Sequence, residues 1–384
     1  KAFVALFAVV FSAMLGMGII APLMPLYAVS MGASGLSLGI MYAGFALSRA
    51  IFMPFIGRLS DSRGRKRFMV IGLLAYITVS LFYSLATNIY QLTSIRIFHG
   101  LASSMIVPIA QAYIGDLIPE GKEGKYMNLF SASAFAGMGL GPLLGGGLAD
   151  AFFLDAAFYA MAGLSALALL LLLPFVPPSR SAPAGHPKTR AAPFSVMLRD
   201  NRVKALSIYR ASRAFWRQGI VAFLPIMAVS GLAMSRTSIG LVLSVYMVTG
   251  GVAQGLIGPL ADRYDKKPMI ITGAVTAPVL LFLIPYATGT EMLLVILLGV
   301  ALLSALSRAA TMALTVELGR KFHGMGSVLG LVNSAMSLGM VVGPITLGYA
   351  MDAFGMSWVF RIGAIEGIGA SLLTAYFLLR KEAG

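Results

Sequence analysis

The sequence predicts an all-α membrane protein of twelve transmembrane helices, arranged as two pseudo-symmetric six-helix halves. Composition is the first reason: of 384 residues, 58% are hydrophobic and 11% charged, and the mean hydropathy is +0.87. That leaves too little polar surface for soluble domains of this total length. The second reason is segmentation into apolar stretches of the length a bilayer needs, about 20 residues per helix. The third is an internal repeat: PLMPLYAVS at 22–30 returns as AFLPIMAVS at 222–230, GRLSD at 57–61 as GPLAD at 258–262, and Gly141-Pro142 as Gly343-Pro344. The chain reads as six helices, a linker and six helices again.

The first stretch, 3–28, runs far past the h-region of a signal peptide and is expected to be a retained span. Stretches 38–57 and 67–86 flank a loop holding Arg58, Arg63, Arg65, Lys66 and Arg67. Stretches 90–115, 126–149 and 154–175 complete the first half, residues 1–175. Segment 176–202 holds five prolines and several basic residues, which neither cross lipid nor build a core, and is expected to be a cytoplasmic linker. The second half, 203–384, contains 203–229, 238–257, 268–287, 291–316, 326–350 and 357–379.

Lys and Arg number 29 against 14 Asp and Glu, a formal charge of +15. Placement gives that charge a topological meaning rather than a nucleic-acid one. Alternate loops carry it: the 58–67 cluster, Lys122 and Lys125, the linker, then Arg263, Lys266 and Lys267, then Arg320 and Lys321. The opposite loops carry Asp150, Asp155, Glu291 and Asp352. By the positive-inside rule both termini are expected in the cytoplasm, with the chain multi-pass in the plasma or inner membrane. No Cys is present, so disulfides, thiolate catalysis and Cys-bound metals are excluded together.

The informative charges lie inside the spans. Arg49, Arg96, Arg210, Arg213, Arg217 and Arg308 fall there, whereas Glu366 is the one acid well inside a helix. At about 2.5–3.5 kcal/mol for each central charge, six lipid-exposed arginines would cost roughly 15–20 kcal/mol, more than the typical total stability of about 5–15 kcal/mol. They are expected to face a hydrated cavity, headgroups, protein carbonyls or a bound anion. Arg210, Arg213 and Arg217 stand at i, i+3 and i+7, so they share one side of helix seven at successive depths. Tyr27, Gln111, Gln218, Tyr246 and Gln254 could add neutral hydrogen bonds. His99 and Glu366 are the candidates for carrying a proton. His186 and His323 fall in the linker and a loop, as solvated surface.

Three ordered motifs carry a family resemblance over essentially the whole chain. GRLSDSRGRK at 57–66, with Gly57, Asp61, Gly64, Arg65 and Lys66, resembles the signature loop between helices two and three of the major facilitator superfamily. RIFHGLA at 96–102 is similar to the helix-four motif of its twelve-helix drug/proton antiporter branch, with His99 where Gln is usual. GMGLGPLLGGG at 137–147 resembles that branch's helix-five motif, which accompanies exporters.

The resemblance implies the major facilitator fold, with a path lined by helices one, four, seven and ten at the interface of the halves. It also implies alternating access and an inner gate made of the 57–66 loop, Asp116 as cross-helix partner of Arg65, and Asp262 in the second half. The loop's glycines would permit a tight turn. Gly137, Gly141, Pro142 and Gly145 would serve as hinge or seal, letting another helix approach closely. One departure matters: Ala13 stands where many multidrug members carry a membrane-embedded acid, and a shift of 200 places Arg213 over it. Without that acid a cationic drug lacks its counter-charge, and Arg offers bidentate recognition of carboxylate or phosphate.

No enzyme chemistry is supported. GLSLG at 35–39 fits GxSxG but joins two membrane helices instead of a strand and a helix. No P-loop, HExxH or ligand cluster for a metal is present, so no ATP motor, cofactor or metal is expected. The expected activity is secondary active, proton-coupled export of a small anionic or amphipathic molecule by a monomer, with protons and the lipid bilayer as partners and no nucleic acid. A multidrug/proton antiporter for neutral or cationic compounds, and a non-transporting sensor or scaffold, are the alternatives.

Overall fold

A computed structural model describes residues 2–118, 123–178 and 193–380. Among them are no strands and twelve helices long and apolar enough to cross a membrane. These are α1 (Phe3–Ser30), α2 (Gly35–Arg63), α3 (Arg65–Leu85), α4 (Ile89–Leu117), α5 (Leu129–Ala151), α6 (Ala156–Phe175), α7 (Asn201–Leu232), α8 (Arg236–Ala261), α9 (Lys266–Tyr286), α10 (Thr290–Lys321), α11 (Ser327–Phe354) and α12 (Met356–Leu379). Every expected stretch overlaps one of them. A short helix, Phe194–Met197, precedes α7, and the rest of the proline-rich linker, 179–192 with His186, lies outside the described residues.

The chain forms two compact units. The first is Lys1–Ala184 with Leu224–Val248, and the second is Gly185–Phe223 with Thr249–Gly384. In the first unit α1 packs on α5 and α6, α3 on α6, and α2 on α4. Within the second, α7 packs on α11 and α12, and α9 on α12. The partners of α1 and α3 thus recur six helices later, as the sequence repeat predicts.

Glycines set the tightest contacts. Gly137, Gly141 and Gly145 lie one turn apart on α5, and a Cβ on any of them would meet the α1 backbone at Phe11, Gly18 or Ile19. The repeat reproduces the device: Gly339 and Gly343 of α11 face the α7 backbone at Ala211 and Phe215. Close backbone approach is how membrane helices gain packing energy when lipid removes the hydrophobic drive. Gly141→Ala is expected to destabilise the protein by about 1–3 kcal/mol, the usual cost of overpacking. Gly147→Ala, where nothing lies within 4 Å of a Cβ, should not. Thermal unfolding in detergent reads both; equal melting temperatures would remove the packing role.

The 57–66 segment corrects one expectation. Gly57 makes no turn, because α2 continues through it to Arg63, and a Cβ at Gly57 would meet nothing within 4 Å. The turn rests on Gly64 alone, whose φ of +94° suits glycine. Arg49 consequently sits about four turns from the end of α2.

At the start of α7, Asp200 caps the helix by accepting from the backbone N–H of Arg202 (2.8 Å) and Val203 (3.4 Å). Its other oxygen accepts from Lys321 Nζ at 2.8 Å, tying α7 to the end of α10. Burial works to raise the Asp200 pKa, but the hydrogen bonds from Lys321, Arg202 and Val203 outweigh it and hold the carboxyl below its usual value. A depressed folded pKa contributes stability that is fully present above the unfolded value of about 3.9 and is lost as pH falls through the folded one. Melting temperature should drop on acidification below about pH 4, and Asp200→Asn should flatten that drop. A variant with an unchanged acid limb would contradict the assignment.

Candidate functional site

Three helices are interrupted part-way along their length. α1 breaks at 21–23 beside Pro22 and Pro25, α4 breaks at 104–106 ahead of Pro108, and α7 contains a π-helical stretch, Gly219–Phe223, ahead of Pro225. Proline removes a donor and crowds the preceding turn. Breaks and π-bulges in membrane helices are tolerated where the freed backbone is buried in protein or lines a cavity, and π-bulges concentrate at functional sites.

In the first unit, α2, α3 and α4 bring together Arg49, Arg96 and His99. Gly100 lets α4 touch α2: a Cβ there would overlap the Phe45 carbonyl. One turn away, the Arg96 guanidinium lies over the rings of Phe45 (4.6 Å) and Tyr42 (5.0 Å), a stacking that satisfies a planar cation without an acid. His99 is fully buried, its Nδ1 hydrogen bonded to the Tyr83 hydroxyl at 2.9 Å, with Tyr76 and Phe45 edge-on to its ring. Arg49 and Arg96 both act electrostatically on His99. Tyr42 Oη, Ser48 Oγ, Arg96 Nε and His99 Nε2 are buried without a hydrogen-bond partner. The cluster is therefore cationic, polar and under-satisfied.

In the second unit the arginine stripe of α7 divides. Ala211 and Phe215 meet α11, while Ser212 and Trp216 meet α12. At about 100° per residue, Arg210 and Arg217 lie on a common line more than about 100° from either contact line. Arg213 is turned about 60° aside. With Tyr209, Ser212, Trp216, Ser307 and Ser371 it lines a cavity of about 10 Å³ inside the unit, the room of a single water. Arg213 Nε is buried without a partner, and the Arg210 and Arg213 guanidiniums repel one another. Arg308 donates to the Gly250 carbonyl. Glu366 accepts from Ser212 Oγ at 3.0 Å. Among the described residues no carboxylate stands within ion-pair distance of Arg49, Arg96, Arg210 or Arg213.

The neutral candidates scatter. Tyr27 donates to the carbonyls of Tyr83 (3.0 Å) and Ala86 (3.3 Å), a helix staple within the first unit. Gln218 and Tyr246 are buried, Gln254 is half-buried and Gln111 is exposed.

Charged contacts occur at helix ends. Arg65 meets Asp61 Oδ1 at 3.1 Å and grips Asp116 with both Nε (2.8 Å) and Nη2 (3.1 Å), joining α3 to α4. Lys66 Nζ donates to the Leu173 carbonyl at the end of α6. Lys266 Nζ meets Glu317 at 2.7 Å, joining α9 to α10. Adding 201 to Arg65 and to Asp116 gives Lys266 and Glu317, so the pair is duplicated. Of that loop only Asp262 is expected from the sequence to belong to the gate, and its side chain lies outside the described residues. The offset was the available signal. At the other end of the first unit, Asp150 Oδ2 accepts from Thr237 N (2.8 Å) and Oγ1 (2.7 Å), and Arg236 donates to the Ala149 carbonyl (3.0 Å). Beside them Gly146 and Gly240 admit the carbonyls of Arg236 and Pro142. No partner for Asp150 is legible in the sequence, since neither composition nor spacing pairs the end of α5 with the start of α8.

The family model for the Major Facilitator Superfamily matches residues 6–234 and 218–384. An uncharacterized MFS-type transporter of Methanocaldococcus jannaschii is 29% identical over 95% of this chain and 95% of its own length. Multidrug resistance protein 2 of Bacillus subtilis is 26% identical over 91% of this chain and 88% of its own length. Multidrug resistance protein MdtG of Enterobacter lignolyticus is 29% identical over 95% and 89%. Among solved structures, a bacterial homologue of the human lysosomal transporter Spinster, inward-facing and unoccupied, superposes with a TM-score of 0.81 at 15% identity, covering 98% of this chain and 96% of that one. The human organic anion transporter MFSD10 superposes at 0.68 with 15% identity, over 97% and 98%.

Proposed function

Because the chain belongs to the major facilitator superfamily, a family of membrane transporters for small molecules, we propose that it is a secondary active, proton-coupled exporter of a small anionic or amphipathic organic molecule. It works by alternating access, with functional halves 1–175 and 203–384 joined by the linker 176–202. The observation that carries the anion reading is charge imbalance within the spans: among the described residues Arg49, Arg96, Arg210 and Arg213 have no carboxylate partner, and Glu366 is the one interior acid. Arg96 stacks on aromatic faces, Arg308 donates to a carbonyl and Arg213 is turned into an enclosed cavity with room for one water, which leaves Arg49 and Arg210 as the cations an anion would neutralise. The Arg65–Asp61–Asp116 and Lys266–Glu317 contacts serve as the inner gate, and Asp150–Thr237 as its outer counterpart.

Glu366 is the proton carrier in this reading, since its carboxylate sits in a span, bonded to a serine rather than neutralised by a cation. In liposomes with an imposed pH gradient, Glu366→Gln should lose gradient-driven accumulation while keeping exchange of substrate for substrate. Undiminished accumulation would move the proton site to His99.

The names of the relatives favour a second reading, a multidrug/proton antiporter for neutral or cationic compounds. The absence of an acid at Ala13 argues against it. Ligand charge separates the two.

A further inference from the structure

The charges at the α2–α3 turn divide by direction. Arg65 turns toward Asp61 and Asp116. Arg63, Lys66 and Arg67 instead line, with Ser62 and Gly64, an open cavity of about 810 Å³ with no acid among the described residues that line it. Its remaining wall is apolar: Val70, Ile71 and Pro178.

Below this cavity the exposed face of α3 runs through Arg67, Ile71, Leu74, Thr78, Leu81 and Leu85, a spacing of three or four residues that keeps one line down the helix. Leu170 and Leu173 are exposed on α6, which packs on α3. A cationic chamber thus opens at the end of a greasy stripe about the length of an acyl chain.

The internal repeat supplies a control. The corresponding loop of the second unit has a smaller cavity, about 160 Å³, where Arg202, Lys266 and Lys267 are accompanied by Asp265 and Glu317. A shift of 201 puts Tyr264 over Arg63 and Pro268 over Arg67. Two of the three cations therefore have no counterpart, Gly64 stands where that loop has Asp265, and Asp116, the counterpart of Glu317, is held by Arg65. The asymmetry is specific to the first unit and is not demanded by topology, since both loops are basic.

We propose that this cavity binds the headgroup of an anionic glycerophospholipid, its phosphate held by Arg63, Lys66 and Arg67 and its acyl chain laid along the α3 stripe. Arg67 begins the stripe and so fixes the register of headgroup to chain. Basic pockets at the cytoplasmic ends of membrane helices suit such headgroups. Arg supplies the planar fork that phosphate oxygens accept. The site is independent of what the protein transports.

The test is lipid titration of the detergent-purified full chain by native mass spectrometry, using phosphatidylglycerol and phosphatidylcholine of equal chain length. Wild type should retain phosphatidylglycerol preferentially. Arg63→Gln with Arg67→Gln should weaken phosphatidylglycerol binding about thirty-fold, the loss expected for two basic side chains at an anionic surface, without lowering the melting temperature. Arg263→Gln with Lys267→Gln, an equal loss of charge in the second unit, should leave the preference intact. Soluble glycerol phosphate at millimolar concentration should not displace the lipid. Equal binding of the two lipids by wild type, equal loss in the two double variants, or displacement by glycerol phosphate would each overturn the proposal.

Discussion

Replacing Arg210 with alanine is expected to weaken binding of an anionic substrate by about 2–5 kcal/mol, the cost of truncating one side of a desolvated charge contact. Arg210 is half-buried in α7, has no carboxylate partner among the described residues and lies off the lines by which α7 meets α11 and α12. Lysine at 210 should rescue only part of the loss, because a point charge cannot reproduce the planar two-donor fork. Arg213→Ala should act differently. Its side chain lines the enclosed cavity beside Ser212 and Ser307, so truncation enlarges a void and should lower the melting temperature more than it lowers affinity. Ligand-induced thermal shift on the two variants separates these outcomes. Equal affinity in wild type and Arg210→Ala would remove Arg210 from the substrate path.

Breaking the duplicated inner contact should abolish most transport while leaving the fold nearly intact. Arg65→Ala removes the cation that Asp61 and Asp116 share, and Glu317→Gln removes the acid of the second pair. Each pair is partly exposed, and such pairs contribute about 0–1 kcal/mol to stability, so the melting temperature should move little. Either variant alone should slow turnover, and the combination should nearly stop it. Asp61→Asn should be the milder change, since Asp116 keeps both guanidinium contacts. Wild-type turnover in the double variant would reduce both pairs to surface decoration.

How much of this was legible in the sequence follows from what lipid and water each make visible. Lipid demands long apolar runs, so all twelve helices could be marked, and the Gly-Pro repeat marked corresponding points on α5 and α11. Where helices run on into water the apolar signal stops, and so α2 was ended at 57 although it continues to Arg63. For the same reason Gly57 was read as a turn residue when only Gly64 has the left-handed backbone. The arginine stripe was legible as periodicity, but a spacing of i, i+3, i+7 spans about 60° of helix surface. Contacts at Ala211, Ser212, Phe215 and Trp216 were needed to turn Arg213 inward and Arg210 away. Lys266–Glu317 was hidden by a change of residue type from Arg and Asp, though the offset of 201 pointed to it. Asp150–Thr237 joins residues 87 apart, a pairing no local pattern encodes.

The decisive property of the proposed exporter is movement of an anion at the expense of a proton gradient. Purified protein in liposomes, given an imposed pH difference and a matched panel of carboxylate, neutral and quaternary ammonium compounds, tests it most directly. Gradient-dependent movement of the carboxylate member, lost in Arg210→Ala, is expected, with little movement of the ammonium member. Best transport of the ammonium compound, unchanged in Arg210→Ala, would contradict it and establish the multidrug antiporter reading instead.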